Sequence, residues 1–592
     1  MTTFFTGRKG TFILALLGGI IVGIYCAPFI LTWSAIGMVR FPLRLDWDIY
    51  FYLILLHLKS AVPGSLINPW YGMQVPTGVF RHENFGLALG MLGFVGSLFG
   101  ENVGQSIMVW QLIWTALIFI SGVWVLRSIM PTSPISLLAM GLCAILLTNM
   151  ESAGPTLAAW IRLPSLGGFA TLDLPYNRTL YPQTAVPLLL VFVGLQIRAL
   201  GSRTWYPWLA MAAVQFVEFT IFPYATVLMA GTSGVALVSA LLSREISLSL
   251  RPLAGFVLLS ALTDGLFLFA NTASSLSGIS AIDVDLSRLP HLFGNILVVM
   301  LLCTVLVAKV GNLVSAQAKW TIVGLGLTSL ALSFGDVVFS PLLLVSQHAG
   351  YYLAHTVYVL VLVFLAYVLY AVRPKLARYL FALATPILLL NGMFTAYGIF
   401  AANITFNRSQ SELAQIVQSL DLTNDDLVIT SAARVDDSAT WMPLVTQARV
   451  LYCQIGESGL PMTEQTKVSY DRKSIYLYFL GRDAAWVDRV LSDSHDTSDH
   501  MFLAPYFWSL ELVQEPNNSS TLRTIRDELV PRLEALTQGD DTVRAFLRSY
   551  RQILVINPVG RPLFDKNKIG QYIKIVREEQ TGSFDLIWGQ PL

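Results

Sequence analysis

Charge is scarce in this chain. Only 13% of its 592 residues are Asp, Glu, Lys or Arg, and the 38 bases and 37 acids nearly cancel. No basic run forms a nucleic-acid patch, so composition gives no nucleic-acid partner. Cysteine is scarce as well. Of the four, Cys26, Cys143 and Cys303 fall in apolar stretches and only Cys453 in a polar one, which excludes a disulfide or cysteine-metal framework. Internal repeats are missing, and with them the paired inverted halves expected of a transporter. Apolar sequence is what the chain has in quantity. With 54% hydrophobic residues and a mean hydropathy of +0.61, it is too apolar for a soluble protein and too long for a single anchor. It reads as an α-helical polytopic membrane protein.

Windows of about 20 residues place apolar spans near 12–33, 105–127, 134–151, 183–200, 205–222, 223–243, 252–271, 291–309, 319–336, 353–373 and 377–401, about eleven transmembrane helices. The first follows Arg8 and Lys9, has no small-residue cleavage site, and is expected to remain as an anchor. The N-terminus is then cytoplasmic. The short inside loops carry Arg127, Arg198, Arg203, Arg244, Arg251, Lys309, Lys319, Arg373, Lys375 and Arg378 against the single acid Glu245, as the positive-inside rule requires. The Gly-rich apolar stretch 85–99 is too short to span and reads as an interfacial helix of the first outer loop, 34–104. An odd number of spans leaves the C-terminus extracytoplasmic, in an inner (plasma) membrane.

From about residue 405 the composition changes: 25 acids and 19 bases occupy the last 188 residues. This marks a domain boundary between 1–404 and 405–592. Residues 426–430, 448–452 and 552–557 read as buried strands and 409–420 and 519–537 as helices, which predicts a small extracytoplasmic α/β domain. Trp441, Tyr452, Tyr476 and Tyr478 flank these strands, either as core residues or as faces for stacking on sugars.

With the inside loops basic, the candidate chemistry lies on the opposite side. Arg44-Leu45-Asp46-Trp47-Asp48 puts two carboxylates just beyond the first span, where acids are few. The same pair in a purely structural role would cap a short helix and balance Arg40 and Arg44. Farther along the first loop are Asn68-Pro69-Trp70-Tyr71-Gly72 and Arg81-His82-Glu83-Asn84. A second outer loop, 152–182, carries Arg162, Asp173 and Tyr176-Asn177-Arg178-Thr179-Leu180-Tyr181-Pro182. An arginine flanked by aromatics, as Arg178 is by Tyr176 and Tyr181, binds a lipid phosphate through bidentate bonds or simply snorkels to headgroups. Glu218 before Phe222-Pro223-Tyr224, Asp264 and Asp336 are ionisable groups in the outer halves of spans, with Glu218 the preferred site candidate. Asp283, Asp285 and His291 add loosely spaced cation ligands. His348 and His355 are seven residues apart, a spacing more common for satisfied core or interfacial histidines.

The order of these parts resembles the GT-C glycosyltransferases, which use sugars carried on polyprenyl phosphates. The first-loop runs 68–72 and 81–84 and the tail segment Met442-Pro443-Leu444-Val445-Thr446-Gln447-Ala448-Arg449-Val450 look like those of bacterial members. The resemblance implies a GT-C-like fold and inverting transfer from a polyprenyl-phosphate-sugar donor to an envelope glycan or lipid acceptor. It implies Asp46 as the base, with Asp48 orienting it or joining it in holding a divalent cation (Mg, Mn or Ca). Arg178, Arg81, His82, Glu83, Tyr181 and Glu218 are the expected substrate-binding residues, and Glu83 or Glu218 is the base if both aspartates ligate metal. Three other readings stand beside it: a non-catalytic envelope-assembly scaffold, an O-antigen-type polymerase or ligase, and a lipid-linked glycan transporter.

Overall fold

The computed structural model describes residues 7–37, 103–148, 183–246, 294–334, 353–432, 438–454, 462–493, 497–505 and 519–592, with shorter pieces within 66–75, 91–98, 174–176, 253–262 and 456–457. The chain forms two compact units. One is Met1–Val39 with Asn84–Ile404, the other Arg40–Glu83 with Thr405–Leu592.

The first unit is helical: α1 (Gly7–Ile36), α2 (Val103–Ile129), α3 (Ile135–Leu147), α4 (Ala185–Leu200), α5 (Tyr206–Ile221), α6 (Pro223–Ser243), α7 (Gly294–Val310), α8 (Ala316–Ser333), α9 (Ala354–Val372) and α10 (Pro374–Gln418), whose last turns from Thr405 belong to the second unit. Each expected span coincides with one of these helices, except 252–271, where the described residues between 253 and 262 are helical. Five helices are long and apolar enough to cross a membrane: Lys9–Ile36, Gln105–Ile129, Tyr224–Ser243, Ala354–Val372 and Pro374–Gln418. Described residues between 91 and 98 are helical as well.

Short connections make neighbouring helices antiparallel and gather the bases at one end. There Arg198 lies 4.7 Å above the Trp124 ring, and buried Lys319 pairs with Glu245, which also accepts from Trp320 Nε1 at 2.9 Å. Pro223, with no N–H to give, ends α5 and starts α6.

At the opposite end, α3 stops inside the packed unit with its last four carbonyls pointing past the helix. Each meets a side chain. Thr148 Oγ1 donates to Ala144 O at 2.6 Å and His355 Nε2 lies 3.0 Å from Ile145 O. Tyr25 Oη donates to Leu146 O at 2.6 Å and Asn391 Nδ2 to Leu147 O at 2.9 Å. These donors from α1, α9 and α10 fix where three other helices sit against α3.

The second unit is built on a sheet of order β4-β3-β5-β7-β6. β3 (Asp426–Ile429) lies parallel to both β4 (Arg449–Val450) and β5 (Gln552–Pro558). β7 (Phe584–Pro591) is antiparallel to β5 and to β6 (Ile573–Thr581). Its helices include α11 (Met462–Phe479), α12 (Ala484–Ser492), α13 (Thr497–Leu503) and α14 (Ser519–Thr537). The three expected strands and both expected helices are present. The hairpin β6–β7 is an addition, since Arg577-Glu578-Glu579-Gln580 is the exposed edge of the sheet and lacks apolar alternation. Trp441, Tyr452, Tyr476 and Tyr478 are all core residues, with Trp441 Nε1 donating to Gln410 at 2.9 Å and Tyr476 Oη accepting from Ala432 N at 2.8 Å. None of the four offers an open face for a sugar.

One stretch of the first loop is part of this core. Strands β1 (Leu66–Ile67) and β2 (Gln74–Val75) pair antiparallel, and between them Trp70 and Tyr71 are buried at 1% and 5% exposure. Trp70 Nε1 donates to Thr440 O at 3.1 Å, and Trp70 O accepts from Val450 N at 2.9 Å, covering the edge strand β4. Tyr71 Oη donates to Cys453 O at 2.6 Å and accepts from Cys453 N at 3.1 Å, and Arg472 lies 4.4 Å above its ring. Burial, reinforced by Glu457, raises the Tyr71 hydroxyl well above its usual pKa and keeps it a donor. Gly456 lies flat on Trp70, where a Cβ would stand 3.0 Å from the indole.

Charged groups inside this unit are tied to the backbone in the same way. Asp426 is held below the usual carboxylate range: burial opposes this, but Arg551 (2.8 and 3.0 Å) and Thr423 N (2.7 Å) outweigh it. Lys473 is buried and caps α13 by donating to Leu503 O at 2.9 Å and Ala504 O at 2.7 Å. Burial pushes its pKa down to about 8, Glu457 working against the shift.

An unfolded lysine titrates near 10.4, so between about pH 8 and 10 the unfolded state binds more protons than the native one. Stability of the second unit is therefore expected to gain a contribution of up to about 3 kcal/mol from Lys473 as pH rises through that window. Chemical unfolding of the full chain across pH, wild type against Lys473→Met, checks this. A wild-type profile parallel to the variant's contradicts it.

Candidate functional site

Most residues singled out from the sequence lie outside the described residues: Asp46, Asp48, Arg81, His82, Glu83, Arg162, Asp173, Arg178, Tyr181, Asp264, Asp283, Asp285, His291, Asp336 and His348. Glu218 and His355 are described. They stand on different helices, α5 and α9, and are not in contact in any bond described.

Glu218 is in the last turn of α5, on the buried side that also carries Trp208, Met211, Ala212 and Gln215. Trp208 packs on Phe256 at 5.6 Å, and Gln215 Oε1 accepts from Ser260 Oγ at 2.9 Å, so this face looks onto the 253–262 stretch and its neighbours. Glu218 itself is completely buried, and neither carboxylate oxygen has a hydrogen-bond partner among the described residues. An ionisable group in a span without a partner makes Glu218 a candidate functional position. Gln183, just ahead of α4, is also buried with both amide atoms unpartnered, and Thr226 Oγ1 at the start of α6 is a third such group.

His355 is a satisfied buried histidine. Its Nε2 must carry the proton to donate to Ile145 O, and its ring meets Tyr176 edge-on at 6.0 Å. Tyr176 Oη and Thr356 Oγ1 are 2.8 Å apart, and Gln111 Nε2 donates to Tyr176 O at 3.0 Å. This network fixes Tyr176, two residues ahead of Arg178, against α2 and α9. It gives the second loop a rigid anchor next to the arginine expected to bind phosphate.

Sequence reasoning found Glu218 and His355 because they ionise. It passed over Gln111, Gln183 and Thr226, which are neutral. The available signal was a carboxamide or hydroxyl at the margin of an apolar span, where a polar side chain is retained for a partner. Among the described residues, no three His, Cys, Asp or Glu side chains gather to hold a metal ion.

No protein-family model matches the chain, and no curated protein matches it. Among solved structures, the crystal structure of ArnT from Cupriavidus metallidurans in the apo state is similar over 98% of this chain and 98% of its own. The identity is 10% and the TM-score 0.41.

Removing a donor from the end of α3 strands a buried carbonyl. Asn391→Leu is expected to destabilise the helical unit by about 1–3 kcal/mol, read as a lower midpoint of thermal unfolding in detergent. An unchanged midpoint would show that Leu147 O finds another donor.

Proposed function

We propose that this chain is an inverting GT-C-type glycosyltransferase that moves a sugar from a polyprenyl-phosphate donor to an envelope glycan or lipid acceptor. It works at the membrane face opposite the basic loops, as a multi-pass protein of the plasma membrane with its second unit extracytoplasmic. The observation that supports this best is the burial of Trp70 and Tyr71. They belong to the first-loop motif that resembles the GT-C enzymes, and they are locked into the second unit by hydrogen bonds to Thr440, Val450 and Cys453. A first loop anchored in this way is a structural element, and a catalytic group needs such support to stay within reach of its substrate.

The chemistry assigned to the loop is a single displacement. Asp46 accepts the proton of the acceptor hydroxyl as that oxygen bonds to the anomeric carbon. The bond from that carbon to the phosphate oxygen breaks on the opposite face, and configuration inverts. Polyprenyl phosphate leaves with the electron pair, its charge met by Arg178, Arg81 and His82, with Tyr181 also assigned to substrate binding. Asp48 orients Asp46. If the aspartates instead hold a divalent cation, it would stabilise the leaving phosphate, and Glu83 would serve as base.

Asp46→Asn is expected to lower transfer by at least about 100-fold with unchanged thermal stability, the range for loss of a general base. The assay is release of polyprenyl phosphate from lipid-linked sugars by the purified protein in vesicles. Turnover retained in the variant would refute the assignment. Donor binding without turnover in the wild type would favour the scaffold reading.

A further inference from the structure

Arg472 of α11 is a buried ion whose charge no carboxylate meets among the described residues. The side chain is 8% exposed, and its Nη1 donates to Val450 O at 3.1 Å and to Leu451 O at 3.3 Å. The guanidinium lies over two rings, 4.4 Å from the centre of Tyr71 and 4.9 Å from that of Phe546. Carbonyls and ring faces solvate the ion in part. Nε and Nη2 have no hydrogen-bond partner among the described residues. An arginine does not shed its proton on burial, so the positive charge remains.

The same side chain lines a cavity of about 440 Å³ between α11, α14 and the short helix Asp541–Leu547. Ile475, Leu536, Val543 and Phe546 are part of its apolar wall, and Asp471, Arg532 and Asp540 are the other charged groups on it. Arg532 is already committed, with Nε donating to Asp471 at 2.9 Å and Nη1 to Glu528. Asp471 is neutralised in that pair. Volume and lining are those of a small-molecule site, apolar walls with a few charged groups. Nε and Nη2 together form the edge of the guanidinium fork that takes both oxygens of a carboxylate. Asp471 and Asp540 can accept from hydroxyls, since an ionised carboxylate has about four acceptor sites.

We propose that this cavity binds a sugar acid, with its carboxylate on Arg472 Nε and Nη2 and its hydroxyls donating to Asp471 and Asp540. Charge selects the ligand class. A neutral sugar leaves the buried guanidinium without a counter-charge, and a doubly charged phosphate faces two carboxylates on the same wall. A hydroxylated monoanion suits both. The cavity lies in the second unit alone, and the assignment does not rest on the transferase chemistry. Because Arg472 also lies on Tyr71, a ligand that holds the guanidinium tightens the seat of the first loop.

The test is thermal unfolding of the full-length protein in detergent with sodium glucuronate, glucose or glucose 6-phosphate, at one ionic strength set with sodium chloride. Glucuronate is expected to raise the midpoint by about 2–4 °C and to raise it further with the logarithm of its concentration, while the other two leave it unchanged. Amide hydrogen exchange in 66–75 is expected to slow about threefold or more with glucuronate bound. Arg472→Lys keeps the charge but loses the bidentate edge, and is expected to weaken the apparent affinity at least about tenfold. If that variant does not fold, Val543→Phe, which fills the cavity and leaves Arg472 unaltered, is expected to abolish the response. Methyl glucuronide separates the two sources of such an acid: an equal response marks the end of a glycan chain, and a response to glucuronate alone marks the free acid. Equal midpoints with all three solutes would overturn the proposal. So would an equal rise with glucose or glucose 6-phosphate, or a glucuronate response unchanged in the variants.

Discussion

A main-chain group that ends its strand or helix inside a core must be given a donor or acceptor by some other part of the chain, and both units of this protein are organised by that requirement. In the helical unit it falls on α3. Four carbonyls end the helix, and Tyr25, Thr148, His355 and Asn391 satisfy them one by one. Three of the four come from helices distant in sequence, so the hydrogen bonds also specify which helices meet. In the second unit, Lys473 and Gln454 close the end of α13, and Arg472 donates to the carbonyls of Val450 and Leu451. Trp70 and Tyr71 do the same for β4 and the turn at Cys453.

This requirement bears on function through the first loop. A connection of that length left free would hold no group steadily enough for catalysis. Burial of an indole and a phenol, worth about 3–5 kcal/mol for a large aromatic truncated to alanine, fixes one point of it firmly. The sequence motif that resembles the GT-C enzymes includes this anchored pair, and the acids expected to carry the reaction precede it on the same loop. The second loop is secured in a comparable way at Tyr176, two residues before Arg178. A rigid anchor on each loop is what a displacement with a fixed geometry calls for.

The helices were legible in the sequence because a membrane span is an apolar run of nearly fixed length, and basic residues mark its ends. Strands β3 and β5 were legible as buried runs of Leu, Val and Ile. β6 was not, because an edge strand facing water carries charges that look like loop. The docking of Trp70 and Tyr71 was hidden for another reason: Thr440 and Cys453, some 370 and 380 residues later, accept their bonds, and no local pattern encodes such a distance. At the candidate site, Glu218 announced itself by its charge. Gln183 and Thr226, buried but neutral, gave no such signal.

The measurement closest to the centre of this account concerns residues 405–592 expressed with and without the first-loop segment. If Trp70 and Tyr71 are part of the core, the C-terminal piece alone should lack a cooperative thermal transition, and joining or adding residues 62–79 should restore one, with Trp70→Ala and Tyr71→Ala together abolishing the restoration. A sharp, cooperative transition in 405–592 alone, unaffected by the added segment, would contradict the claim that the first loop is built into the second unit.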